Sequence, residues 1–192
     1  MIIVTSLKDH AVVCESLQAR HLISVIDPGF EPSTPKCVRQ HLKLGFDDIV
    51  EIKKDNFIYR NSLINESETP NNQILPNINH INKIAKFVSK WDQKHPIVIH
   101  CWCGVSRSMA TAIFIFCKIF PNNIDSNVRY MRSIAAHANP NVLMIDLFEK
   151  YLGVQGQIKE AFKKYPYTVT YDCETTFAPV SIFKVNEMKK FK

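Results

Sequence analysis

IVIHCWCGVSRSMATAIFIFCKIF, residues 97–120, is the stretch on which the reading of the fold turns. Ile97-Val98-Ile99 follows His95-Pro96 and is short, β-branched and apolar, which describes a central strand covered on both faces. From Met109 to Phe120 the chain is apolar nearly all round, as expected of a helix buried in a core. Gly104 breaks the pattern between them. A buried strand, a tight loop and a buried helix place that loop beyond the carboxyl end of a strand, where open α/β sheets bind ligands.

Working outward, MIIVTS, HLISVID and HLKLGF read as further strands, the second closed by the turn residues Asp27-Pro28-Gly29. Helical spacing predicts a helix from Asn77 to Trp91, others over Asp125–Ala136 and Val142–Tyr151, and a short one over Ile158–Lys164. Asn139-Pro140-Asn141 separates two of them. Residues 49–72 are charged, Asn-rich and aperiodic and read as a loop insertion, and residues 166–192 as a C-terminal extension, docked or frayed. The expected architecture is α/β: a central, mostly parallel sheet flanked by helices, in one domain over residues 1–165.

The 192 residues carry a net charge of +6 and favour anionic partners. The longest apolar run is shorter than the roughly 20 residues that span a bilayer. MIIVTSLKDH does not read as a secretory signal, so a cytoplasmic protein is expected. In that setting the 6 cysteines argue against a disulfide framework. Zinc is disfavoured, because His100 and Cys101 are neighbours on a strand and point to opposite faces.

Thiol chemistry remains, and the loop supplies its parts. Backbone N–H groups curling over a helix N-terminus make a nest for a dianion such as phosphate. Gly104 allows a conformation that a side chain blocks, and Arg107 offers a planar fork matched to two phosphate oxygens. Cys101, in the same field, is the candidate nucleophile toward phosphorus, and Ser108 can donate a hydrogen bond to its sulfur.

HCWCGVSRS resembles the HC-x5-R-S/T signature loop of the cysteine-dependent protein tyrosine phosphatases, in the dual-specificity-like form HCxxGxSRS. The chain from Met1 to about Ala161 is similar to the compact bacterial members, including Asn-Pro-Asn and the Leu152–Gly156 segment. The resemblance implies that fold, and Cys101 as nucleophile, Arg107 as phosphate clamp and Ser108 as the hydroxyl behind the loop. It implies a cradle from the N–H groups of Trp102, Cys103, Gly104, Val105, Ser106 and Arg107, with His100 in support. No metal or other cofactor is implied. The family's general acid is an upstream aspartate, and Asp48 is the first choice, in phase with Leu42, Leu44 and Phe46. Asp47 is second, and the insertion offers Asp55, Glu66 and Glu68 as alternatives.

The expected activity is hydrolysis of phosphotyrosine, with phosphoserine and phosphothreonine as further substrates, in phosphorylated proteins. A phosphoinositide or small phosphomonoester, a phosphate-binding pseudophosphatase, and sulfur transfer or arsenate reduction are the alternatives. The phosphate loop narrows the anionic partner to a small dianion rather than nucleic acid. Other residues have a plainer reading beside the functional one. Cys103 is a backup thiol or, preferred, a loop filler; Cys14, Cys37, Cys117 and Cys173 are buried or incidental. Arg129 and Arg132 extend the anion site or, preferred, lie on a solvated helix face. Trp102 flanks an aryl substrate or packs on the domain, and Asn139 and Asn141 position the loop or a water, or form a turn.

Overall fold

A computed structural model describes residues 1–51 and 73–191. The segments read as strands form β1 (Ile2–Thr5), β2 (His21–Ile26), β3 (Gln40–Gly45) and β4 (Ile97–His100). Between β1 and β2 lies α1 (His10–Ser16), a helix too short to leave a legible period in the sequence. After β3 come α2 (Ile78–Val88), then α3 (Arg107–Ile119), α4 (Ile124–Ile134), α5 (Val142–Leu152) and α6 (Gln157–Lys164), with β5 (Ser181–Phe183) and α7 (Val185–Met188) in the extension.

The strand order is β3-β2-β4-β1-β5. The first four are parallel, and β5 adds antiparallel to β1. The sheet is therefore mixed and mostly parallel, with β4 at its centre. Side chains alternate across it. Ile2, Val4, Ile23, Ile97 and Ile99 enter the larger core with α2 to α6, while Ile3, Leu22 and Val98 meet Cys14 of α1 on the other face. Each such aliphatic side chain removed from water contributes about 1.5–3 kcal/mol. The strongest single packing element is α3, whose residues from Arg107 to Cys117 are all buried.

Local chemistry explains the helix ends. Asn77 caps α2, accepting from the N–H groups of Asn79 and His80, while the His80 ring accepts from the Asn77 N–H. The glycines of Leu152–Gly156 make the turn from α5 to α6. Gly153 and Gly156 both take positive φ, 71° and 78°. The buried Glu149 carboxylate then accepts from the N–H groups of Gly156, Ile158 and Lys159 at 2.7–2.9 Å. An anion is held where the α6 N-terminus leaves donors unpaired.

The predicted helix over Asp125–Ala136 ends instead at Ile134, where Ala135 leaves helical geometry, and Arg132 gathers the carbonyls of Ala136 and Ala138, at 3.1 and 2.7 Å, and that of Tyr165 at 3.1 Å. Arg132 is thus a half-buried strut. Arg129 lies over the rings of Tyr165 and Phe191. Both are half-buried and packed against other parts of the chain, Arg132 on carbonyls and Arg129 on rings, beyond the plain solvated face expected of them. Among the described residues no helix is long and apolar enough to cross a membrane.

Candidate active site

The carboxyl ends of β2, β3 and β4 converge on the signature loop. Strand register does the first part of the work. His100 is the partner of Ser24 across β2 and β4, and its Nε2 lies 2.6 Å from Ser24 Oγ. The same hydroxyl lies 2.7 Å from His41 Nε2, and His41 Nδ1 lies 2.8 Å from Thr34 Oγ1. His100 Nδ1 contacts the Cys101 carbonyl at 3.2 Å, and the His10 ring stacks on the imidazole at 4.6 Å. Burial drives the His100 pKa down to about 3 and that of His41 to about 4, so both are neutral at pH 7.

The loop carbonyls are tied from outside. Those of Trp102, Cys103 and Val105 accept from the N–H groups of Leu7, Ala178 and Asn139 at 3.0–3.2 Å. Gly104 has φ +83°, and a Cβ there would stand 3.1 Å from the Thr5 carbonyl carbon and 3.3 Å from the Ser6 nitrogen. Only glycine fits this backbone against β1. The turn aims the Gly104 N–H at Cys101 Sγ, 3.3 Å away, and Ser108 Oγ lies 3.1 Å from the same sulfur. Cys101 itself is 2% exposed.

Arg107 opens α3 beneath the loop and is also buried. One terminal nitrogen donates to Asp27 Oδ1 at 2.7 Å and to the Phe46 carbonyl at 2.5 Å. Among the described residues its Nε makes no hydrogen bond, with Asp48 Oδ2 at 3.6 Å. A buried guanidinium N–H without a partner is costly unless an acceptor arrives, and a phosphoryl oxygen would be one.

Asp48 stands over this group. Its Oδ1 accepts from Ser106 Oγ at 2.7 Å and from Asn141 Nδ2 at 2.8 Å. Asn141 also donates to the Ile49 carbonyl and caps α5 by accepting from the Met144 N–H. Asp47 points elsewhere, pairing through backbone and carboxylate with Ile74. Asp55, Glu66 and Glu68 lie outside the described residues. Asp27, Asp48, Cys101, Trp102, Ser106 and Arg107 share a cleft of about 310 Å³ with Cys103, Val105 and Cys173.

Three findings depart from the sequence reading. Cys103 is neither filler nor free thiol: it forms a disulfide with Cys173, 70 residues away. Cys14, Cys37, Cys101 and Cys117 are free, and burial raises the pKa of Cys14 and of Cys117 to about 12. Asp27 was read only as a turn residue, yet it anchors Arg107; an acid directly after a parallel strand was the available signal. Ser24 and His41 were also missed, since only strand register brings them to His100.

Comparison with known proteins agrees with this fold. The chain has the fold of the cysteine-dependent protein tyrosine phosphatase superfamily. It resembles the crystal structure of DUSP15, with TM-score 0.58 and 13% identity over 87% of this chain and 94% of that one. PTPMT1 in complex with PI(5)P matches with TM-score 0.55 and 12% identity over 85% and 94%. Among curated sequences, the dual specificity protein phosphatase YVH1 of Plasmodium falciparum is 26% identical over 134 residues, 69% of this chain. The match spans only 20% of that relative's length. No family model matches the chain.

Proposed function

We propose that the protein is a phosphatase that hydrolyses phosphomonoesters, phosphotyrosine in proteins first among them, through a phosphocysteine intermediate. One observation carries the reading: Cys101 Sγ, held by the Gly104 N–H and near the Ser108 hydroxyl, shares a cleft with a buried arginine whose Nε has no hydrogen-bond partner among the described residues. In the first half-reaction Cys101 attacks phosphorus while Arg107 and the loop N–H groups hold the equatorial oxygens. Asp48 gives its proton to the departing oxygen. In the second, Asp48 takes a proton from water, water attacks phosphorus, and the sulfur leaves with the Ser108 hydroxyl stabilising its charge. Trp102 lines the cleft with its ring partly exposed, and Phe30 packs edge-on against it at 5.4 Å, which supports an aromatic leaving group.

The test is rapid mixing with an aryl phosphate. A burst of one phenol per protein is expected, and Cys101→Ser should abolish it. Absence of the burst in the native protein would leave a phosphate-binding pseudophosphatase. A phosphoinositide draws support from the PTPMT1 structure bound to PI(5)P. Faster turnover of PI(5)P than of a phosphotyrosyl peptide would move the substrate class to lipids.

A further inference from the structure

Residues 165–180, between α6 and β5, have no regular structure of their own, yet they are anchored along their length. The Thr168 N–H donates to the Ala136 carbonyl at 3.0 Å, and the Tyr171 ring meets His137 edge-on at 5.4 Å. Cys173 is bonded to Cys103, and the Ala178 N–H donates to the Cys103 carbonyl at 3.2 Å. β5 then enters the sheet beside β1. Cys173 has φ +62°, a region non-glycine residues rarely occupy, and Asp172 braces the turn by accepting from the N–H groups of Glu174, Thr175 and Thr176. Cys173 also lines the same cleft as Cys101 and Arg107. A strained, covalently anchored residue in the wall of a reaction cleft is held there by its surroundings rather than by local preference.

We propose that this strap is a substrate-recognition wall of the cleft, with Cys103–Cys173 as the bond that holds it ready for the peptide chain flanking the phosphorylated residue. The inference rests on the phosphatase reading. A wall already ordered spares the incoming peptide the cost of ordering it. A dithiol reductant reverses the state: its two sulfurs become a disulfide, the Cys103–Cys173 bond breaks, and each cysteine leaves with one of the two protons and one of the two electrons transferred. The strap then keeps only its non-covalent anchors near the cleft, and Cys173 is free to relax from positive φ.

The experiment uses the full chain in oxidised and dithiol-reduced form, together with Cys173→Ser. Alkylation in denaturant without reductant should label four cysteines, and after reduction all 6. Reduction should raise KM for a phosphotyrosyl peptide about fivefold while KM for a small aryl phosphate moves less than about twofold. Cys173→Ser should show the raised peptide KM with or without reductant. The proposal is overturned by labelling of all 6 cysteines before reduction, by an unchanged or lower peptide KM on reduction, or by a Cys173→Ser protein that responds to reductant as the native one does.

Binding of the same peptide to Cys101→Ser in the two redox states separates this from the catalytic reading. No turnover in the native protein together with redox-dependent binding overturns catalysis and keeps the recognition wall; equal affinity in both states overturns the wall.

Discussion

In the proposed mechanism both half-reactions depend on Asp48, and its position is set by three others: Ser106, Asn141 and Arg107. Asp48→Asn keeps the shape and removes the proton. It should lower kcat on an aryl phosphate by about 100-fold, the lower end of what a positioned acid contributes. Asp47→Asn, which disturbs the pairing with Ile74, should leave the rate within about twofold, since the Asp47 carboxylate is engaged by the Ile74 N–H and does not line the cleft. Equal losses in the two variants would remove Asp48 from its role. Asn141→Ala frees the carboxylate on one side and deletes a helix cap worth about 1 kcal/mol. Its kcat should fall by about tenfold with a small loss of stability, whereas a purely structural cap would lower stability alone.

At the scale of the element, the signature loop works because three of its carbonyls are bound outside it, so its amide edge is available to an anion. Gly104 is where this arrangement meets β1. Gly104→Ala places a methyl against Thr5 and Ser6 and forces an unfavourable positive φ. The expected cost is about 1–3 kcal/mol of stability, with weaker binding of inorganic phosphate because the N–H aimed at Cys101 is displaced. Urea unfolding and phosphate protection of the thiol from alkylation measure the two effects. A variant with native phosphate affinity would show that the loop tolerates the shift.

At the scale of the whole molecule, neutral histidines buried between strands make stability depend on pH. His100 has its pKa lowered by burial from 6.5 to about 3. Its contribution is complete above about pH 6.5, where neither state is protonated. As pH falls below 6.5 the unfolded chain binds a proton that the folded His100 refuses, and stability drops by about 1.4 kcal/mol per pH unit until about pH 3. Between pH 7 and pH 5 this one side chain should remove about 2 kcal/mol from the unfolding free energy. His21, His41, His80 and His137 are shifted the same way by burial and act in the same direction. Urea titrations at the two pH values check the sign; equal stability at both would contradict a neutral, buried His100.

What the sequence determined by itself was local. The apolar run of 97–99, the glycine of the loop, the spacing from Cys101 to Arg107 and the all-round apolar stretch of α3 all lie within a few turns of chain. Short-range sterics and burial therefore write them into the order of residues. The parallel sheet was legible for the same reason, strand by strand. Tertiary structure alone decided which distant groups met the loop. Asp27 comes to Arg107 from the end of β2, Ser24 and His41 reach His100 through strand register, and Asn141 reaches Asp48 from the start of α5. Cys173 comes to Cys103 from the extension, where no spacing rule could pair them. A side chain's type states what it can donate or accept, whereas its partner is fixed by the packing of elements far apart in the chain.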